Sequence, residues 1–539
     1  MNLRLTSSAL ALAAMTAPAF ADVTPEQVWQ SWVDYYQSVG YTVTEGGRDA
    51  TGSTLTVKDI KITGGAEASR VAFSVPEAVL TDTGDGKVKT VFADHLALDM
   101  SGTDPDGKSY ALPATLEMPG NSMISSGAPE DITHEFTYPV LKVALTRMTS
   151  DGKETPLPVN IALADTTGTA HIAGGRYDFD TATAKLTFDG DVTDETEGKV
   201  KFAGSAEDLR SKGSMALPGK IADLETKLGA ALRSGLTMDG TMQLGPMAVT
   251  FDFSGKDENG QSTSGAGKYD GKGFDASVKL AQDGLGYQVN SDALSFEMTS
   301  AQMPMPLRYG IAGAHFDLQM PVSQAEAPQP FKLAYALTGL TLGDEIWAMF
   351  DPQSKLPRDP ASLDLDLTGT MKVTRDVLDT PPAPEADKAE ADKAGTDSAA
   401  TDGAQSGDAA TGDAATGDAA MDADTDAAEP SPFEPVTLAI NQLALKAIGA
   451  EVQAKGALNA PETGDMTAPI GQIHAEYQGV NGLLDKLGAM GLIQPDQMTG
   501  VRMMLAMFAK PVEGDPDKLT TDLEFKDGGQ IFANGQQIK

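Results

Sequence analysis

Alternation of apolar and polar residues is the feature that most constrains this chain. It is clear at 274–280 (Phe-Asp-Ala-Ser-Val-Lys-Leu) and at 294–298 (Leu-Ser-Phe-Glu-Met). Successive side chains of a strand point to opposite faces, so this period predicts half-buried strands with one apolar face. Turn signals such as Asp-Glu-Asn-Gly at 257–260 and Asp-Gly at 283–284 separate the strands. The pattern favours an antiparallel meander over a parallel sheet with crossover helices.

One apolar spacing recurs and contains a step of three residues. Its four copies are Leu55, Val57, Ile60, Ile62; Val91, Ala93, Leu96, Leu98; Tyr335, Leu337, Leu340, Leu342; and Leu438, Ile440, Leu443, Leu445. A three-residue step moves the side chains to the opposite face unless a bulge absorbs the extra residue. The spacing therefore predicts repeated bulged strands and a long, curved sheet.

Helices are predicted at few places. Thr24-Pro-Glu-Gln at 24–27 has a capping-box pattern with proline in the first turn, and an apolar stripe follows it as far as Gly40. Further amphipathic helices are predicted at 221–235, after Asp344, and as a pair at 483–493 and 496–508. All three tryptophans, Trp29, Trp32 and Trp347, fall in these segments. We expect them to dock the helices on the sheet through large aromatic contacts.

Four segments are predicted along the chain. Residues 1–21, with basic Arg4, an apolar run and Ala-Phe-Ala before Asp22, are typical of a cleavable signal peptide. Residues 22–379 are predicted to form an N-terminal helix and a β-rich body, which the strands and helical pair of 432–539 complete. Residues 380–431 hold 13 acidic residues against two lysines and contain no Val, Ile, Leu, Phe, Tyr or Trp, so a disordered insertion between two strands is predicted.

Composition excludes several functions. The chain has no cysteine, so neither a disulfide framework nor a lipid-modified cysteine anchor is available. The formal charge of −37 makes nucleic acid an unlikely partner. No second apolar run is long enough to span a membrane, so no transmembrane anchor is expected after signal removal near Ala21–Asp22. The predicted location is the periplasm, or the medium outside the cell.

No catalytic constellation is visible, and we assign no catalytic, cofactor-binding or metal-binding residue. Residues 102–109 match the phosphate-loop pattern, but a strand is predicted after them instead of a helix, so we interpret them as a turn. The five histidines lie without metal-ligand spacing: His95, His134, His171, His315 and His474. A serine beside a buried histidine would revive an enzyme hypothesis. Met498, Val501, Leu505 and Phe508 have helical spacing, which favours packing over an apolar ligand surface or a copper site.

Three passages carry a resemblance to a known family. They are residues 24–29, residues 347–351 with 356–361 and 365–369, and residues 525–535. Together they resemble an uncharacterised secreted family of Gram-negative bacteria, domain of unknown function 2125. The repeated strands and the closing Asn-Gly at 534–535 more distantly resemble the AsmA-like envelope proteins. The second resemblance implies long curved sheets with an apolar groove and a role in lipid traffic or outer-membrane maintenance.

The predicted fold is mainly β: an extended curved antiparallel sheet or open barrel-like layer with a few docked amphipathic helices. The first functional hypothesis is a non-catalytic periplasmic protein that binds an apolar or lipidic ligand or supports cell-envelope assembly. The alternatives are a structural or protein-interaction scaffold of the envelope and a secreted enzyme without a recognisable motif. No cofactor is implied, and the protein partners are unknown.

Overall fold

In a computed structural model of the protein, the described residues are 22–66, 69–104, 107–194, 198–217, 228–257, 259–303, 305–379, 431–461 and 466–539. The predicted signal peptide and residues 380–430 of the predicted insertion lie outside them. Strands make up 66% of the structure and helices 12%. The mainly β prediction is confirmed.

Five α-helices form where capping and amphipathic patterns predict them. They are α1 (Pro25–Ser38), α2 (Leu228–Arg233), α3 (Asp344–Phe350), α4 (Val480–Ala489) and α5 (Pro495–Phe508), with a short 3-10 turn at Asp527–Gly529. The capping box of α1 is complete, since Thr24 and Gln27 each accept from the other's backbone N–H. The predicted helix at 221–235 is described only from Leu228, because residues 218–227 lie outside the description.

The remaining elements are strands joined in one sheet. The strands up to residue 194 are β1 (Thr42–Thr44), β2 (Gly47–Thr51), β3 (Thr54–Ala66), β4 (Ser69–Asp82), β5 (Val88–Phe92), β6 (His95–Thr103), β7 (Ser109–Glu117), β8 (Ser122–Ala128), β9 (Asp131–Ser150), β10 (Lys153–Ala173) and β11 (Arg176–Asp194). The next are β12 (Gly198–Ala216), β13 (Thr237–Leu244), β14 (Met247–Lys256), β15 (Ser262–Gly271), β16 (Phe274–Ala281), β17 (Gly284–Ser291), β18 (Leu294–Ser300), β19 (Leu307–Ile311), β20 (Gly313–Met320) and β21 (Ala325–Leu342). The last are β22 (Ala361–Val373), β23 (Phe433–Ala447), β24 (Ala450–Asn459), β25 (Ile470–Gln478), β26 (Lys510–Val512), β27 (Asp515–Lys526), β28 (Gln530–Ala533) and β29 (Gln536–Gln537).

Every pairing between the described strands is antiparallel, and the topology is a meander. Several short strands are two halves of one long strand: β4, for example, pairs with β5 through 78–82 and with β6 through 69–74. In the same way β12 pairs with both β13 and β14. Each long strand therefore lies beside its neighbours in sequence, as the turn signals predict.

A line of kinks, which we call the crease, crosses the meander where these long strands are interrupted. Its left-handed positions include Asp59, Asp165 and Asp208, with φ of 51°, 52° and 53°, and Gly339 with φ of 67°. Aspartate and glycine are residues that tolerate this conformation. Asp165 lies opposite Ala184 of β11, and Ala184 lies opposite Asp208 of β12, so the two kinks fall on one line across the sheet.

The kinks explain the predicted three-residue steps. Pairing is interrupted at Asp59 and again between β5 and β6, and the register shifts between Leu337 and Leu340 and between Ile440 and Leu443. The register shifts by one residue at the last three steps, which confirms the predicted bulges there. At Asp59 the pairing is interrupted without a shift, so this step is a kink and not a bulge. At each step two successive residues fall on the polar face, which makes that face longer and bends the strand toward the apolar face.

The largest core lies where the first strands surround α1. Val28 and Trp29 are buried there against Leu55, Val57 and Ile60. Contacts between aromatic rings show how far the sheet curves around this helix. Trp32 stacks on Phe92 of β5 and contacts His134 of β9, and Tyr35 contacts Tyr177 of β11. The tryptophans of α1 therefore dock it on the sheet, as predicted.

The C-terminal strands continue the same sheet. Val373, at the end of β22, pairs with Phe433 at the start of β23, so the predicted insertion connects two neighbouring strands. Among the described residues, no helix has the length and apolar character needed to cross a membrane.

Candidate functional site

The sheet carries one apolar face that continues across the meander. Directly paired residues share a face, so a chain of pairs traces a row across the strands. The first apolar row runs Leu55, Leu80, Thr90, Met123, Phe136, Gly168, Thr181, Ser211, Met242, Ala276, Val289, Phe316, Tyr335, Leu365, Leu443, Ala454, Ala475, Thr521. It contains no charged residue. At about 4.8 Å between strands, a row of this length extends roughly 80 Å.

Two further rows repeat this composition on either side of the crease. The second apolar row runs His134, Ala170, Phe179, Gly213, Gly240, Val278, Tyr287, Leu318, Leu333, Leu367, Ile440, Gly456, Ile473, Leu523, Ala533. The third runs Val43, Ile62, Phe73, Leu98, Ala114, Leu145, Val159, Gly190, Phe202, Phe251, Gly267, Met298, Leu307. Because Leu55 and Ile62 pack against the same core under α1, all three rows lie on one face.

The opposite face is polar. A row one residue away from the second apolar row runs Thr169, Asp180, Lys212, Thr241, Ser277, Gln288, Asp317, Ala334, Asp366, Gln442. Asp364 and Asp366 lie on this side, as predicted for the wet side of a half-buried strand. The contrast between the two faces shows that the sheet is a single layer with water on its polar side.

Much of the apolar face has no covering element. Nine of its large side chains are 36 to 47% exposed: Ile161, Val200, Met238, Met242, Val278, Tyr287, Tyr309, Tyr335 and Leu445. They lie on strands from β10 to β23, and none of them belongs to the core around α1. Contiguous exposed apolar area of this kind marks an interaction site in proteins that are otherwise acidic and polar outside.

On this face, phenylalanine rings pack over glycines of neighbouring strands. A Cβ added to the glycine would come closer than 3.0 Å to the ring in seven pairs: Phe136 on Gly168, Phe179 on Gly213, Phe188 on Gly204, Phe202 on Gly190, Phe251 on Gly267, Phe253 on Gly265 and Phe331 on Gly369. Aromatic cover of a strand glycine stabilises the strand and replaces its missing side chain. The flattened rings keep the face shallow and free of polar groups.

Helices close the apolar face at both ends. At the N-terminal end α1 lies over β3 to β11. At the other end the carbonyl of Phe508, the last residue of α5, accepts from Thr521 Oγ1 of the first apolar row at 2.8 Å. Asn534 Nδ2 donates to the same carbonyl at 2.8 Å. The uncovered stretch lies between these two ends, and α2 covers part of its edge, where Leu232 packs with Met215 and Leu280.

A cavity of about 280 Å³ lies between α1 and the sheet. Its lining includes Trp32, Phe92, Ile62 and Leu96, and it reaches Ala170, Ile172 and Tyr177, from which the rows continue onto the uncovered strands. It is the described pocket with the most apolar lining.

One buried polar pair lies at this end. Ser125 Oγ is 2.8 Å from His134 Nδ1, and the indole N–H of Trp32 donates to His134 Nε2 at 3.1 Å. Burial, with a smaller contribution from His171, lowers the pKa of His134 to about 4, so the imidazole is neutral at pH 7. With Nε2 accepting, the ring proton resides on Nδ1, which donates to Ser125 and cannot take the proton of its hydroxyl. The pair is therefore not arranged as a nucleophile and its general base.

The other candidate motifs do not form a site. The remaining four histidines lie on the polar face, and the groups described here include no cluster of three His, Asp or Glu residues that could hold a metal ion. His474 bonds Asp522 at 2.7 Å, which with Glu476 raises its pKa. In the phosphate-loop match, β6 ends at Thr103, the Gly107 N–H donates to the carbonyl of Asp104, and a strand begins at Ser109 where the motif requires a helix; residues 105 and 106 lie outside the described residues. The described part agrees with the turn interpretation.

The predicted methionine-rich packing stripe lies on α5. Met498, Val501, Leu505 and Phe508 form the less exposed side of this helix, but none is fully buried. Met503, Met504 and Met507 on the other side are 64, 54 and 48% exposed. The predicted stripe is thus the half-buried side of the helix, and the neighbouring methionines face solvent.

Sequence reasoning missed the Phe–Gly pairs and the polar contact between Trp32, His134 and Ser125. The only local signals were phenylalanines and glycines in phase with the apolar alternation, and the pairing register was needed to bring them together.

Comparison with known proteins gives a family. The sequence model of a family described as "Uncharacterized protein conserved in bacteria (DUF2125)" matches residues 244–532, more than half of the chain. No curated protein and no solved structure matches the chain. The matched region begins in β13 and covers the later part of the uncovered apolar face, but not α1.

Proposed function

Since the chain belongs to DUF2125, a family of uncharacterised bacterial proteins whose membership brings no activity with it, we propose from its geometry that it is a non-catalytic protein that binds lipid acyl chains along its apolar face. The observation that carries this proposal is the run of exposed apolar residues from Ile161 to Leu445 on rows without a charged side chain. Each CH₂ moved from water onto such a surface contributes up to about 0.8 kcal/mol.

Acyl chains fit this face better than a protein partner does. A protein interface has polar groups at its rim and roughly ten direct hydrogen bonds. The first apolar row presents few side-chain polar groups along its whole length, and the first of them is fully buried: Thr90, Thr181, Ser211, Tyr335 and Thr521. The strand backbones are paired within the sheet, so an added peptide strand finds no partner on this face.

The proposed place of action is the bacterial envelope. It rests on the predicted signal peptide at 1–21, since a periplasmic lipid binder must be exported. Sequencing the N-terminus of the mature protein tests it, and we expect the chain to begin at Asp22. The distant resemblance to AsmA-like proteins is in line with this proposal and stays a prediction.

The test compares two pairs of substitutions on opposite faces of the same strands. Val278 and Tyr287 pair directly on the apolar face, and their sequence neighbours Ser277 and Gln288 pair directly on the polar face. Val278→Glu with Tyr287→Glu places two carboxylates among the apolar rows, whereas Ser277→Glu with Gln288→Glu adds the same charges and the same cross-strand repulsion on the wet side.

The readout is lipid that co-purifies from bacterial envelopes, identified by native mass spectrometry. We expect lipid on the wild type and on the Ser277/Gln288 variant, and at least tenfold less on the Val278/Tyr287 variant, with both variants folded by circular dichroism. Equal lipid on both variants would show that the apolar face is not the binding surface. Lipid-free protein that instead retains one envelope protein would favour the scaffold hypothesis.

A further inference from the structure

The cavity beneath α1 combines apolar walls with tyrosine hydroxyl groups that have no protein partner. Tyr36 of α1 and Tyr138 of β9 both line it, and in the described part of the chain neither hydroxyl makes a hydrogen bond. Burial and the nearby phenols of Tyr36 and Tyr177 raise the pKa of Tyr138 to about 12, and burial also raises that of Tyr36. Both groups therefore stay protonated and can donate.

These hydroxyls point to a ligand because binding cavities are mostly apolar and orient their ligand through a small number of placed polar groups. Tyr36 and Tyr138 are half-buried, so their hydroxyls are available as donors inside the cavity. The neighbouring donor, the indole N–H of Trp32, already bonds His134.

The lack of charged side chains in the cavity lining determines which ligands it favours. No Lys, Arg, Asp or Glu is among its lining residues, and His134 is neutral at pH 7. An anionic head group such as a phosphate or a carboxylate would lose its hydration here without a compensating cation. A neutral oxygen acceptor needs only the phenol donors.

We infer that the cavity beneath α1 holds the ester carbonyl of a neutral lipid, with Tyr36 and Tyr138 as hydrogen-bond donors to it. The inference rests on the proposed function and adds a ligand class and a position: the polar end of the lipid sits at the α1 end, and its hydrocarbon extends along the second apolar row from Ala170 onward. The lipid therefore has one orientation on the apolar face, with its polar end toward α1.

Tryptophan fluorescence tests this directly, because Trp29 and Trp32 line the cavity and Trp347 lies in α3. In a Trp347→Phe background, the emission comes from the two cavity indoles. The probes are methyl 9,10-dibromostearate and the 9,10-dibromostearate anion at pH 8, since bromine quenches indoles in contact. Tyr36→Phe with Tyr138→Phe removes both hydroxyls and keeps the rings. Thr169→Val is the matched control, because it removes a hydroxyl from the polar face directly behind the cavity lining.

We expect the methyl ester to quench at a lower concentration than the anion. We expect the double variant to need about tenfold more ester, as the loss of one to two neutral hydrogen bonds predicts, and Thr169→Val to match its parent. Tyr138→Phe alone provides the same comparison if the double variant does not fold. Unchanged ester affinity in the phenylalanine variants, or tighter binding of the anion, would overturn the inference.

The same measurement separates this inference from the proposed function. If envelope lipid co-purifies but the ester does not quench the cavity indoles, the cavity assignment is wrong and the apolar face remains the binding surface. If neither lipid nor ester binds, both proposals fail.

Discussion

The buried His134 predicts a pH dependence of stability that can be isolated from that of the acidic surface. Its imidazole is 2% exposed and is held between Ser125 and Trp32. Because burial lowers its pKa from 6.5 to about 4, the unfolded chain takes up a proton between these values and the folded chain does not. Acidification through this range therefore favours unfolding, and the contribution of His134 to stability is fully present above pH 6.5.

The magnitude follows from the two pKa values. At roughly 1.4 kcal/mol for each unit of pH between 6.5 and about 4, the contribution that is lost on full acidification is about 3 kcal/mol. By pH 4.5 about 2.5 kcal/mol of it should be gone. The neighbouring carboxylates also titrate in this range, so a single curve for the wild type does not isolate the histidine.

The assay is urea unfolding of the wild type and His134→Gln at pH 7.5, 6.5, 5.5 and 4.5, followed by fluorescence. Glutamine keeps an acceptor and a donor for the two neighbours and does not titrate. We expect the variant to be the less stable protein at pH 7.5 and the difference in unfolding free energy to shrink by about 2.5 kcal/mol by pH 4.5. A difference that is the same at all four pH values would refute the buried, neutral state of His134.

Three further predictions concern stability and are checked by thermal melting. Trp347→Ala should cost about 3 to 5 kcal/mol, because the residue is 6% exposed and its ring packs against Phe350 and the Arg358 guanidinium; an unchanged melting curve would contradict the packing. Gly204→Ala should destabilise by about 1 to 3 kcal/mol, because the new Cβ collides with the Phe188 ring. At Gly240 on the same face, the added Cβ has its closest side-chain contact at 3.6 Å, so Gly240→Ala should be neutral or slightly stabilising. Equal effects at both glycines would argue against the packing of phenylalanine rings over glycines. Deleting 385–428 should leave the melting temperature nearly unchanged, because the strands that flank the segment pair with each other; a large loss would assign it a structural role.

Local patterns predicted a large part of this fold because its elements depend on nearby residues. The capping box at Thr24 formed as predicted, since both of its hydrogen bonds lie within four residues. The three-residue step after Val57 marked a kink, because only a special backbone conformation at Asp59 keeps Ile60 on the same face as Leu55.

The candidate site was less predictable because its contacts join distant parts of the sequence. Trp32 and His134 are 102 residues apart, and no periodicity connects them. From the sequence, His134 could be interpreted only as a strand residue that lies on the same face as Ile132 and Phe136. That it faces Ser125 follows from the pairing of β8 with β9.

The amino-acid sequence by itself determined which residues alternate, where the strands turn and kink, and which helices carry the tryptophans, since these features follow from backbone preferences and periodicity over a few residues. Only the tertiary structure decided that the apolar residues of successive strands align into unbroken rows, that phenylalanines cover glycines across strands, and that the rows stay uncovered between α1 and α5. The physical reason is register: hydrogen bonds between strands fix which side chains become neighbours, and the curvature of the whole sheet determines where a helix can cover them.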